Sequence, residues 1–129
     1  MFGVSRVTVM LSGLQEIADG YHVHEFPVGP GDGGSGRCAV QYTGGHWNPR
    51  GIVYSEENPP ITSDDYEIGD LSRKFGSLMN RSNISQTFTD PNIPLSGLDG
   101  IIGRSIVIHF PNNSRWLYEC HSTRITSCV

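Results

Sequence analysis

Glycine and proline interrupt this chain too often for long helices to form. Sixteen glycines and eight prolines are spread through 129 residues. Glycine in a helix interior costs conformational entropy, and proline removes a donor and clashes with the turn before it. What remains between these breaks is a set of short, β-branched or alternating segments, the pattern of strands joined by turns. Residues 7–11 (VTVML), 20–26 (GYHVHEF), 70–78, 84–89 and 100–110 (GIIGRSIVIHF) read as strands, and residues 116–125 as a last one. Residues 27–36 (PVGPGDGGSG) are a loop by composition. Residues 41–69, broken by Pro49, Pro59 and Pro60, form a long irregular connection, and a loop of that length in a compact domain usually carries function. No amphipathic helix of useful length and no internal repeat is present. The expectation is one domain over residues 1–129, all-β, folded as an antiparallel sandwich or flattened barrel.

Charge narrows the partners. Nine basic against thirteen acidic side chains give a net charge of −4, which argues against a nucleic-acid binder. With 36% apolar and 17% charged residues the core is modest, but the chain is not disordered by composition. No run of eighteen apolar residues encodes a membrane span. The start, MFGVSRVTVML, does not read as a signal peptide. Three glycosylation sequons, at Asn80, Asn83 and Asn112, nevertheless point toward a secreted protein. Cys38, Cys120 and Cys128 allow one disulfide and leave one thiol over. Secretory features without a leader suggest an excised module or an incomplete chain.

The histidines carry the chemistry. His22 and His24 stand at i and i+2 on an expected strand, so both point to one face and can chelate one ion. His46 lies in a Gly-flanked turn (GGHWNP) on the long connection, and His109 ends the apolar SIVIH strand. Four imidazoles without a thiolate or carboxylate nearby in sequence suit Cu(II) in a tetragonal site, with zinc as the competitor. The alternative is an ordinary exposed strand face. His121 has no partner pattern and reads as a surface residue.

These segments, in order, resemble the copper/zinc superoxide dismutase family. The resemblance rests on Gly20-Tyr-His-Val-His-Glu-Phe26, Gly44-Gly-His-Trp-Asn-Pro49, Gly69-Asp-Leu71, and Leu95-Ser-Gly with Ile101-Ile-Gly-Arg-Ser-Ile-Val-Ile-His109. It implies a Greek-key β-sandwich and an enzyme that converts superoxide to dioxygen and hydrogen peroxide. It implies that His22, His24, His46 and His109 bind one copper ion, with His46 in the place of the family's bridging imidazole. Arg115 resembles the arginine that attracts superoxide, and Cys38 with Cys120 the intrasubunit disulfide. Arg124 with Cys128 is a rival pairing at a closer spacing.

The departures point to the copper-only branch. Residues 47–69 contain no His, so of the additional zinc ligands only Asp70 remains, and zinc is not expected. Glu67 stands where the last zinc-binding His would be, placed to accept a hydrogen bond from His46 and orient it. Only five residues separate His109 from Arg115, so the family's long guiding loop is missing. Within that branch the wording is most similar to extracellular copper-only superoxide dismutase repeat proteins, which implies a secreted chain and neighbouring repeats of the same fold as partners. The family's first hairpin has no counterpart before Val7, which would leave a strand edge open. A non-enzymatic extracellular copper-binding or matrix module on the same fold is the competing functional reading.

Overall fold

A computed structural model describes residues 3–30 and 36–112, together with the backbone of residues 123–124. Among the described residues, five strands make two antiparallel sheets. Strands β1 (Ser5–Leu11) and β3 (Ile84–Asp90) pair in one; β2 (Tyr21–His24), β4 (Ser105–Ile108) and β5 (Thr123–Arg124) form the other in the order β2-β4-β5. The chain crosses between sheets at β1 to β2, β2 to β3 and β3 to β4, so most strand neighbours are distant in sequence. This is the all-β sandwich expected from the pattern of short strands.

The two sheets differ in how they meet water. Along β1 and β3, Val7, Val9, Leu11 and Ile84 turn toward the core while Arg6, Thr8, Met10, Ser85, Thr87 and Thr89 are exposed. That alternation is the mark of a half-covered antiparallel sheet. Strand β2 is buried on both faces. Tyr21 and Val23 enter the core with Leu14, Ile68, Leu71, Leu78, Ile93 and Ile108. Its other face carries the two histidines, and the long connection covers them.

Residues 70–78 correct the sequence reading. They are not a strand: Leu71–Phe75 is a short helix, α1. The Asp70 carboxylate caps it by accepting the backbone N–H of Arg73 at 3.1 Å, and Gly76, at φ 101°, ends it. Residues 71–75 contain no β-branched side chain to resist the turn. Leu71 faces the core, and Phe75 stacks on Phe88 of β3 with centroids 4.3 Å apart. The Lys74 ammonium is buried, donating to the Asp90 carboxylate at 2.7 Å and to the Ile68 carbonyl at 2.9 Å. Residues 100–110 hold a shorter strand than expected, because a turn with Gly103 at φ 87° precedes Ser105. Of the expected last strand, residues 123–124 are seen as β5; residues 116–122 and 125 lie outside the described set.

Candidate metal centre

The site is built on the edge of β2. Strand β4 pairs with one side of it, setting Tyr21 opposite Ile108, so His109 follows directly beside β2. Two short stretches of the long connection line the other side. The Trp47 N–H donates to the Val23 carbonyl at 2.7 Å, and the Val23 N–H to the Gly69 carbonyl at 2.8 Å. These bonds set His46 beside His24 and Asp70 beside His22. Gly69 has to be a glycine, since a Cβ there would stand 2.7 Å from the Val23 carbonyl oxygen.

The turn carrying His46 is held from β2 as well. The Glu25 carboxylate accepts the Gly45 N–H at 2.9 Å, and the Glu25 N–H donates to the Gly45 carbonyl at 3.0 Å. Gly44, at φ 69°, makes the turn, and a side chain there would collide with Glu25. Trp47 lies under the Arg104 guanidinium, 3.2 Å from its ring centre, and Arg104 also donates to the Gly100 and Glu25 carbonyls at 2.8 and 2.5 Å.

Four imidazoles meet there. One nitrogen from each of His22, His24, His46 and His109 falls within 4.8 Å of the other three. His24 Nε2 and His109 Nε2 are 3.1 Å apart, and the His22 and His46 rings are stacked at 4.0 Å. An ion bonded to nitrogen at about 2 Å in a square array has neighbouring donors about 2.8 Å apart and opposite ones about 4 Å apart. The observed spread is of that order, so the donor set fits one transition-metal ion.

The outward nitrogens are engaged by the protein. His24 Nδ1 is 3.0 Å from the Gly44 carbonyl, which makes that nitrogen the protonated one and turns Nε2 inward. His22 Nε2 is 3.2 Å from Ser72 Oγ and 3.5 Å from Asp70 Oδ1, while His22 Nδ1 is buried without a hydrogen-bond partner. A buried orphan nitrogen is costly unless something binds it. Burial first, and then the neighbouring imidazoles and Arg73, push the His22 pKa down to about 2, so the ring stays neutral, as a metal ligand must. His46 Nδ1 lies 3.3 Å from Glu67 Oε2, a buried oxygen with no hydrogen bond among the described residues.

A cavity of about 370 Å³ opens onto His22 and His46 and is bordered by Glu67, Asp70, Tyr54 and Arg73. The Tyr54 hydroxyl donates to Asp70 Oδ2, and the Arg73 guanidinium covers the Tyr54 ring at 4.7 Å. Burial and the Asp70 carboxylate together raise the Tyr54 phenol pKa well above its ordinary value. Tyr54, Ser72 and Arg73 carried no signal in the sequence: a tyrosine in an irregular segment has no spacing to mark it, and the other two fall in a stretch read as strand. Cys38 is disulfide-bonded. Cys120, Cys128, Arg115 and the Arg124 side chain lie outside the described residues, and so do both sequence pairings of Arg with Cys.

A β-sandwich that turns four imidazoles onto one point defines a metal-binding all-β protein. Residues 2–115 match the family described as copper/zinc superoxide dismutase (SODC). The chain is 36% identical over 104 residues to the superoxide dismutase [Cu-Zn] of Drosophila obscura, covering 81% of this chain and 80% of the fly protein. It is 35% identical to superoxide dismutase [Cu-Zn] 5 of Dictyostelium discoideum, over 80% of this chain and 59% of that one. Among solved structures it superposes on Candida albicans superoxide dismutase 5 in its Cu(II) form with a TM-score of 0.74 and 31% identity, covering 98% of this chain and 78% of that one. The chain belongs to the copper/zinc superoxide dismutase family.

Proposed function

We propose that this chain is a superoxide dismutase that works with one copper ion, held by His22, His24, His46 and His109, and without a zinc site. The observation that carries the reading is the convergence of the four imidazole nitrogens within 4.8 Å. Three of the rings are buried and neutral donors are all that the cluster offers, a set suited to copper. Copper bound there supplies one-electron exchange with superoxide, for the net reaction 2 O2⁻ + 2 H⁺ → O2 + H2O2.

The residues divide the remaining work. The protein backbone and Asp70 hold His24 and His22 with one nitrogen each turned inward. His46 borders the cavity and is the least buried of the four rings, and its Nδ1 faces Glu67. Glu67 orients His46 and steadies a proton on Nδ1, so the ring can give and take a proton at Nε2 as the reaction requires. Arg115 is proposed as the cation that draws superoxide in; its attraction would weaken with salt. The reading without zinc is supported by the lack of His in residues 47–69 and by the Asp70 carboxylate, already engaged by Tyr54, Ser72 and Arg73.

An extracellular setting fits the same reading. Cys38 is in a disulfide, which persists in oxidising compartments, and Cys120 is its proposed partner. The three sequon residues Asn80, Asn83 and Asn112 are all exposed. No helix among the described residues is long and apolar enough to cross a membrane. Residues 1–129 as one domain, and neighbouring repeats as partners, belong to this proposal too.

The test is to load the protein with copper and zinc together, then measure metal content and superoxide decay. One copper, no zinc and rapid decay are expected. Stoichiometric copper with no superoxide consumption would make the chain a copper-binding module instead. A His109→Ala variant that kept full copper and full activity would overturn the ligand assignment.

A further inference from the structure

We propose that Tyr54 is a positioning residue for His22: its hydroxyl holds one oxygen of the Asp70 carboxylate, so that the other oxygen faces His22 Nε2. The inference rests on the copper reading of the four-imidazole cluster and gives Tyr54 a role in positioning His22 that the reading itself does not assign.

Asp70 is the junction. Its carboxylate is buried, 3% exposed as a residue, and a buried carboxylate oxygen without a donor is strongly disfavoured. Oδ1 is surrounded by the Arg73 backbone N–H at 3.1 Å, Ser72 Oγ at 3.4 Å and His22 Nε2 at 3.5 Å. Oδ2 has the Tyr54 hydroxyl and, at 3.8 Å, the Arg73 guanidinium. The guanidinium side chain is 60% exposed, so water competes for it. Tyr54 is therefore the donor that fixes Oδ2.

Fixing one oxygen fixes the other. The terminal torsion of an aspartate is soft, and a carboxylate that loses a donor on one side turns to find another. Turned that way, Asp70 would leave His22 Nε2 with Ser72 alone. The ring would then lose its preference for carrying its proton at Nε2 and presenting Nδ1, the buried nitrogen without a partner. The phenol is itself braced: the Arg73 guanidinium covers one face of its ring, and Tyr66 meets it edge-on with centroids 5.8 Å apart. The ring is thus held by contacts that survive loss of the hydroxyl, so the hydroxyl can be tested separately.

Tyr54→Phe keeps the ring and removes the bond. In the metal-free protein, nitrogen NMR of His22 is expected to show a loss of the Nε2-protonated form. In the copper-loaded protein, the Cu(II) EPR hyperfine pattern is expected to shift, with copper affinity by chelator competition weakened about tenfold, as for loss of a group supporting a ligand. Tyr66→Phe is expected to leave all three readings unchanged, and Tyr54→Phe in an Asp70→Asn background to add nothing further. Unaltered NMR, EPR and affinity in Tyr54→Phe would overturn the inference while leaving the copper site intact. An equal change in the Asp70→Asn background would overturn the route through Asp70. If the unaltered chain showed no four-nitrogen copper signal, the copper reading itself would fall, and this inference with it.

Discussion

Replacing Lys74 with Met should destabilise the fold more than almost any other single change of similar size. The Lys74 ammonium is 2.7 Å from Asp90 Oδ2, and the two side chains are 3% and 1% exposed. Burial pushes the Lys74 pKa down, and Asp90 partly pulls it back, the signature of a charge kept indoors by its partner. Lys74→Met retains most of the stem's packing and removes the charge. Asp90 then keeps the Asn92 N–H at 2.7 Å on Oδ1 and loses its donor on Oδ2. Leaving one half of a buried pair behind costs about 3–5 kcal/mol. Total stabilities of single domains run to about 5–15 kcal/mol, so this is a large share. At about 4 °C per kcal/mol for a domain of intermediate size, the unfolding midpoint should fall by roughly 12–20 °C. Urea and thermal unfolding of the metal-free protein measure it. Lys74→Met combined with Asp90→Asn should recover most of the loss, because the orphaned charge is gone. A single variant within about 1 kcal/mol of the unaltered protein, or a double variant no better than the single, would refute the account.

Other outcomes follow from the site. Gly44→Ala should cost about 2 kcal/mol or more: φ 69° with ψ −157° is a conformation that essentially only glycine adopts, costing roughly 1–3 kcal/mol for other residues, and the new methyl would displace Glu25 from the Gly45 N–H, as unfolding curves and reduced copper occupancy would show. The metal-free protein should lose stability as pH falls below about 6.5, the ordinary His pKa. The fold keeps His22 neutral down to about 2 while the unfolded chain takes up the proton, a slope of up to about 1.4 kcal/mol per pH unit that a His22→Gln variant should flatten in denaturant midpoints. Glu67→Gln should slow superoxide turnover about tenfold while changing copper affinity less; unchanged turnover would make Glu67 a bystander.

Much of this was legible from residue order. Alternation marked β2, the short segments at residues 7–11 and 84–89 marked β1 and β3, and the apolar, β-branched SIVI run marked β4, because strand-forming side chains between turn residues are written directly in the sequence. The His-x-His pair announced a shared face, and the family resemblance placed Glu67 beside His46, where the family's last zinc-binding His would stand. Helix α1 was missed because its decisive signal is a single cap: Asp70 bonds the Arg73 N–H, and five residues are too few to show a helical period. Tyr54 was missed for a different reason. Its bond to Asp70 spans sixteen residues of irregular chain, and only the folded path of that segment brings the two together. The buried Lys74–Asp90 pair was equally silent, since charged residues in sequence look alike whether they end in solvent or under a sheet.

The stacking of Arg104 on Trp47 has a consequence for assembly. Arg104 precedes the strand that delivers His109, and Trp47 follows His46, so one planar contact rivets two distant suppliers of donors to each other. Its bonds to the Gly100 and Glu25 carbonyls extend the rivet to the strand bearing the other two rings. These fasteners are made of polypeptide alone. The spacing of the donors is therefore braced from outside the cluster of rings, by contacts that ask nothing of the rings themselves.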